Sequence, residues 1–195
     1  MKVIGVTGGV GAGKSTVLDT LEQGYGAKLI LADEIGHEVM EPGKAAYQKI
    51  TAYFGDGILD ADGRIDRKVL GAIVFADSEK LQVLNHIVHP EVKKEILERI
   101  RQAECAGENY AVVEAALFLE EKYDAFCDET WYIYTDEKIR RQRLKESRGY
   151  SDERIDQIFR SQKTHEEFQK RCLFMIDNNG SEEETFRQID RRMKK

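Results

Sequence analysis

The sequence is short of cysteine and proline, and it has no long apolar run. Each shortage excludes something. The three cysteines among 195 residues, Cys105, Cys127 and Cys172, lie far apart, form no CxxC pair and are odd in number. They supply no disulfide framework, so reduced thiols of a cytoplasmic protein are the expectation. A mean hydropathy of -0.54 without a long apolar stretch excludes a membrane-spanning helix. The start, MKVIGVTGGV, carries one lysine and a short apolar run before a glycine-rich loop. Cleavage of a signal peptide would remove that loop, so no targeting segment is expected. A net charge of -6 and a pI near 5.4 do not suit a broad nucleic-acid face, although a local basic patch stays open. There is no internal repeat and no low-complexity segment. What remains, 41% hydrophobic in 195 residues, is enough for one α/β domain with insertions but not for two large domains.

The pattern along the chain supports that class. Lys2 to Thr7 is a β-branched run ending at glycines, and Ala27 to Ala32 is a second buried strand. Between them Val17, Leu18 and Leu21 have helical spacing from Lys14 to Gln23, with a stop at Gly24. Strand, helix, strand over this length implies a parallel sheet with a right-handed crossover. From Asp33 to Gly107 the signals are helical. Pro42-Gly43 punctuates them, Phe54 to Gly63 reads as loop, and helices are expected over Asp66–Phe75, Ser78–Ile87 and Pro90–Ala106. Pro90 suits a first helical turn. Further strands are expected at Tyr110–Val113, Thr130–Thr135 and Leu173–Ile176, completing a parallel five-stranded sheet flanked by helices. Helices are expected at Lys138–Arg148 and Asp152–Cys172, and at Ser181–Arg192 with a Ser181/Glu184 capping box. Trp131 and the strand-spaced Tyr and Phe residues read as core.

The loop itself reads GVTGGVGAGKST, and Gly8 to Ser15 fit G-x-x-x-x-G-K-[ST] between a strand and a helix. Gly8, Gly9, Gly11, Ala12 and Gly13 let the backbone wrap phosphate oxygens, and the start of the helix, through Thr16, adds its positive end. Lys14 is expected on the β- and γ-phosphates and the Ser15 hydroxyl on Mg²⁺. This is the loop of a P-loop NTPase binding a nucleoside triphosphate. No guanine-reading NKxD, no SGGQ and no hydrophobic strand ending in Asp is present; the third strand ends in Glu114. A kinase further needs a carboxylate to orient an acceptor hydroxyl. Asp33, at the end of the second strand, is placed for that role or for an N-cap of the helix after it.

Several segments in order carry a resemblance. TGGVGAGKST, ADEIGHEVMEPG, GRIDRKVLGAIVFAD, HIVHPEV, ALFLE and MIDNNGS together resemble the dephospho-coenzyme A kinase family along nearly the whole chain. The resemblance implies transfer of the γ-phosphate of ATP to the 3′-hydroxyl of dephospho-coenzyme A, with Asp33 as the matching base. It implies a nucleotide core, a helical substrate domain and a lid, here 1–34 with 108–148 and 173–195, then 35–107, then 149–172. The pattern departs from the family at Leu31, where an Asp is usual, at His37, where an Arg is usual, and at Glu114 to Glu120, which lacks a proline. Glu114 can still act on a Mg²⁺-bound water. The residues also leave room for a kinase of another nucleoside or nucleotide metabolite, and for a regulatory protein that hydrolyses nucleotide slowly.

Other polar residues divide between roles. Arg140 and Arg143 share a helix face, and Arg143 matches a family arginine expected on the phosphates. Arg148 is offset by one from another such position. A solvated helix face is the competing role for both. Arg67 is a candidate for an anionic group of the substrate or for an ion pair with Asp66. His89, in an HP pair, is a candidate substrate contact or a structural histidine. His86 and His89 have no convincing third ligand, so no metal is expected there. Asn178 is expected to edge the adenine, or only to form a turn. The resemblance implies ATP and dephospho-coenzyme A as partners, neither nucleic acid nor membrane is expected, and a monomer is one reading of an oligomeric state the sequence leaves open.

Overall fold

A computed structural model describes residues 1–194. Its centre is a five-stranded sheet of β1 (Lys2–Thr7), β2 (Lys28–Leu31), β3 (Tyr110–Glu114), β4 (Glu129–Tyr134) and β5 (Phe174–Asp177) in the order β2-β3-β1-β4-β5. The pairs β1–β3, β1–β4 and β4–β5 are parallel. Buried on both faces, the inner strands β1, β3 and β4 are near-continuous apolar runs, as parallel strands require, while the edge strands β2 and β5 are partly exposed. Ile4, Val6, Val112, Trp131 and Ile133 are all at most 1% exposed. With β1 central, its carboxyl end lies where the chain switches from one side of the sheet to the other, the usual place for a ligand in such sheets.

The helices are α1 (Lys14–Tyr25), α2 (Ala32–Glu38), α3 (Ala45–Phe54), α4 (Arg67–Ala76), α5 (Ser78–Cys105), α6 (Glu137–Arg148), α7 (Asp152–Ser161), α8 (His165–Arg171) and α9 (Glu182–Met193). Three differ from the pattern in the sequence. Helix α1 runs through Gly24 and is capped at Gly26. The two helices expected on either side of Pro90 are one, α5, with Pro90 inside it. An interior proline costs about 3 kcal/mol, but Leu84, Val88, Val92 and Ile96 keep helical spacing across it, and Val92 and Ile96 are buried. The single helix expected over Asp152–Cys172 is two, because Thr164 starts α8 with a capping box to Glu167.

The chain forms two compact units: Met1–Ile30 with the chain from Gln102 on, and Leu31–Arg101. The second therefore begins and ends before the expected 35–107. Leu31 is both the last residue of β2 and the N-cap of α2, so no loop separates strand from helix. Residues 149–172 fall in the first unit. No helix among the described residues is long and apolar enough to cross a membrane. Burial pushes the thiols of Cys127 and Cys172 up to about 12 and about 11, aided by the carboxylate of Asp124.

Candidate active site

The phosphate loop leaves the end of β1, and the β1–β3 register sets Val6 beside Glu114. Lys14, the first residue of α1, donates from Nζ to the Gly8 carbonyl at 3.0 Å and lies 3.5 Å from Glu114 Oε1. Both side chains are largely covered, so the pair is stronger than a surface contact. No side chain caps α1; its N-cap is Gly13. The first-turn N–H groups and the positive end of the helix are thus available to an anion.

A second set of residues holds the loop from behind. The Ala12 carbonyl accepts from Asn178 Nδ2 at 2.8 Å and from the Thr135 hydroxyl at 2.9 Å. Asn178 Oδ1 in turn accepts from the Thr185 hydroxyl at 2.7 Å. Thr135, Asn178 and Thr185 are all buried. Gly13 sits at φ 85°, and a Cβ there would stand 2.1 Å from Asn178 Nδ2. The position therefore demands glycine both for its backbone and for this close approach. Arg143 donates to the Asn178 carbonyl at 3.0 Å and to the Thr135 hydroxyl at 3.5 Å.

Of the residues singled out in the sequence, Gly8 to Thr16, Arg143 and Asn178 thus come together around one loop. The side-chain amide of Asn178 is engaged within the protein on both its oxygen and its nitrogen. Arg148 is not brought to the loop: its guanidinium lies 5.9 Å from the centroid of the Tyr150 ring and helps hold that phenol below its usual value. Asp33, Arg67 and His89 belong to the second unit. Asp33 is exposed in the first turn of α2, whose N-cap is Leu31, so Asp33 does not cap the helix. Arg67 is the exposed first residue of α4, and the Asp66 carboxylate caps that helix through the N–H groups of Lys68 and Val69. His89 lies within α5, half-buried.

Two further residues bond to the loop tip: Arg140, read in the sequence as sharing a helix face with Arg143, and Gln162, which the sequence left unassigned. Arg140 donates from Nε to the Val10 carbonyl at 2.9 Å, and Gln162 Oε1 accepts from the Val10 N–H at 3.3 Å. The signal for Gln162 was Thr164-His165-Glu166-Glu167, a capping-box pattern that ends one helix and frees the residues before it.

The donors present also fit a magnesium ion. The exposed Ser15 hydroxyl and the Glu114 carboxylate are hard oxygen ligands, one next to Lys14 in sequence and the other beside it in space. They are two, and magnesium of this kind keeps water and substrate phosphates for its other positions.

Comparison with known proteins agrees with the geometry. The family model described as dephospho-CoA kinase matches residues 2–184. A dephospho-CoA kinase of Carboxydothermus hydrogenoformans is 43% identical, covering 97% of this chain and 91% of its own. The crystal structure of TT1252 from Thermus thermophilus superposes with a TM-score of 0.83 at 27% identity, covering 98% of this chain and 95% of its own. A dephospho-CoA kinase from Campylobacter jejuni gives a TM-score of 0.74 at 28% identity, covering 100% and 96%. With its phosphate loop between β1 and α1, its parallel sheet and these relatives, the chain belongs to the dephospho-CoA kinase family of P-loop kinases.

Proposed function

We propose that this protein transfers the γ-phosphoryl group of ATP to the 3′-hydroxyl of dephospho-coenzyme A, giving coenzyme A and ADP. The observation that carries the reading is a complete phosphate loop, uncapped toward the ligand and bonded from behind, in a member of this family. The triphosphate lies on Gly8 to Thr16, with Lys14 leaving the Gly8 carbonyl for the β- and γ-phosphates. Arg143 stands next to the loop, where it neutralises charge as it moves in transfer. Ser15 and Glu114 would hold Mg²⁺, which when bound screens charge between the phosphates.

Asp33 orients the ribose hydroxyl and accepts its proton as the new P–O bond forms and the bond to the ADP oxygen breaks. An exposed carboxylate in a first helical turn is free to meet a substrate. Arg67 reaches an anionic group of the acceptor, and His89 lies on the same unit. A cleft of about 730 Å³ in that unit has apolar walls from Val39, Pro90 and Leu97 for a long acceptor, while its lysines stand among the carboxylates of Glu91, Glu95 and Glu98. Residues 149–172 act as the lid that excludes water, the competing acceptor. Positioning and electrostatics carry the catalysis.

The test is an acceptor panel with ATP and Mg²⁺. Fast ADP release with dephospho-coenzyme A alone is expected. Equal or faster release with a nucleoside, or release that needs no acceptor, would overturn the assignment.

A further inference from the structure

Val10, at the tip of the phosphate loop, has both of its backbone polar groups taken by side chains, and those side chains bond to each other. Gln162 Oε1 accepts from the Val10 N–H at 3.3 Å and from Arg140 at 2.5 Å. The same guanidinium donates to the Val10 carbonyl at 2.9 Å. Its other face lies 4.3 Å from the centroid of the Phe159 ring in α7. On the loop side it is so close that a Cβ on Gly9 would stand 2.4 to 2.7 Å from its atoms. Gln162 lies in the break between α7 and α8, where no helix dictates its backbone. Helix α6, the α7–α8 segment and the loop tip therefore meet at one guanidinium. Beside them is a cavity of about 210 Å³ lined by Gly8, Gly9, Val10, Lys14, Gln162 and Lys163 among others.

We propose that Arg140 and Gln162 are positioning residues that clamp Gly9-Val10, so that the loop tip keeps its shape beside the transferred phosphoryl group and is tied to the position of α7 and α8. Phosphate is held by Lys14 and the start of α1, and neither of these fixes the tip. Without the clamp the tip N–H and carbonyl exchange their fixed partners for water, and the wall next to the reacting phosphorus loosens. Displacements of about 1 Å in such a wall cost transfer rates far more than they cost binding. Arginine is suited to this because its planar fork serves two acceptors while a face stacks on an aromatic ring.

The kinetic part of this proposal rests on the kinase reading; the structural part does not, and two measurements separate them. The first is amide hydrogen exchange of the segment containing Gly9-Val10. Gln162→Met keeps the length and removes the acceptor, and should speed exchange there by about tenfold while exchange in β1 and β3 stays unchanged. Gln162→Glu keeps an oxygen for both donors and should stay within about twofold of wild type. The second is turnover with ATP and dephospho-coenzyme A. Gln162→Met should lower kcat about tenfold and leave KM for ATP within about twofold, the signature of lost positioning. Wild-type exchange at the tip in Gln162→Met would overturn the clamp. So would acceleration spread equally over β1 and β3, which would make Gln162 a residue of general stability. Faster exchange with unchanged kcat would overturn the role in transfer. Absence of acceptor-dependent turnover in the wild type would instead sink the function proposed above, and the exchange result would still decide the clamp.

Discussion

The polar side chains singled out for function stand differently in the two units. In the first, Thr135, Arg143, Asn178, Thr185, Arg140 and Gln162 bond to the phosphate loop or to one another, and several are buried. In the second, Asp33 and Arg67 stand exposed in first helical turns. The donor side is stiffened by its own hydrogen bonds, as befits a site where charge must be stabilised without reorganisation. On the proposed function, the acceptor side would present these solvated groups to a long and flexible substrate. If the proposed roles hold, the lesson is that one α/β kinase holds its donor rigidly and meets its acceptor with solvated side chains.

Removing the ammonium at the loop should have the largest effect. Lys14→Ala should lower kcat/KM by about 10³-fold or more, read from acceptor-dependent ADP release. A loss under about tenfold would shift the donor charge to another residue and weaken the contrast between the units.

A matched pair of glycines sharpens the contrast in stability. Gly13 and Gly43 have the same left-handed backbone, φ 85° and 88°, but a Cβ at Gly13 meets Asn178 whereas nothing lies within 4 Å of one at Gly43. Gly13→Ala should cost about 2–3 kcal/mol, by backbone strain plus a displaced buried amide. Gly43→Ala should cost about 1 kcal/mol, by strain alone. Denaturant melts compare them directly. Equal losses would mean that Asn178 gives way freely and that the back of the loop is not rigid.

The acid range distinguishes the units as well. Glu129 in β4 bonds to Lys2 at 2.6 Å, to Trp131 Nε1 at 2.9 Å and to Arg192 at 2.9 and 3.0 Å. Burial is the largest single influence and raises its pKa, but the hydrogen bonds from Lys2, Trp131 and Arg192 together outweigh it and hold the carboxyl near 2, from an ordinary 4.5. A depressed folded pKa means stabilisation that is complete above pH 4.5, falls away below it and is gone below about pH 2. Its size is on the order of 2 kcal/mol, against less than about 1 kcal/mol for the more exposed Arg99–Glu95 pair of the second unit. Melts from pH 7 downward should fall more steeply for wild type than for Glu129→Gln. Parallel curves would remove Glu129 from the account.

Much of the donor side was legible in the sequence because local rules act there alone. The strand, loop and helix from Lys2 onward follow from β-branched residues, glycines and apolar spacing, although the helix runs past the expected stop at Gly24 to Tyr25, and Ser181 with Glu184 does form the expected capping box. The misses arise where two local signals compete. At Pro90 the proline marks a start, yet the apolar stripe across it continues the helix. At Thr164 the charged, helix-favouring run hides a cap that splits α7 from α8. Gln162 was lost with that break, because inside a helix its side chain has no reason to reach Val10. Asn178 illustrates a further limit. Asn-Gly-type spacing marks a turn, but only the folded chain shows both ends of its amide engaged, by Ala12 and Thr185.

The division into a rigid donor side and an acceptor side carried by the second unit is tested most directly on Asp33→Asn. Nucleotide affinity and turnover are measured on the same protein, by titration with ATP and by ADP release with dephospho-coenzyme A. Turnover should fall by about 10²- to 10³-fold with ATP affinity within about twofold of wild type. Turnover equal to wild type would contradict the account and leave Asp33 a surface residue of α2.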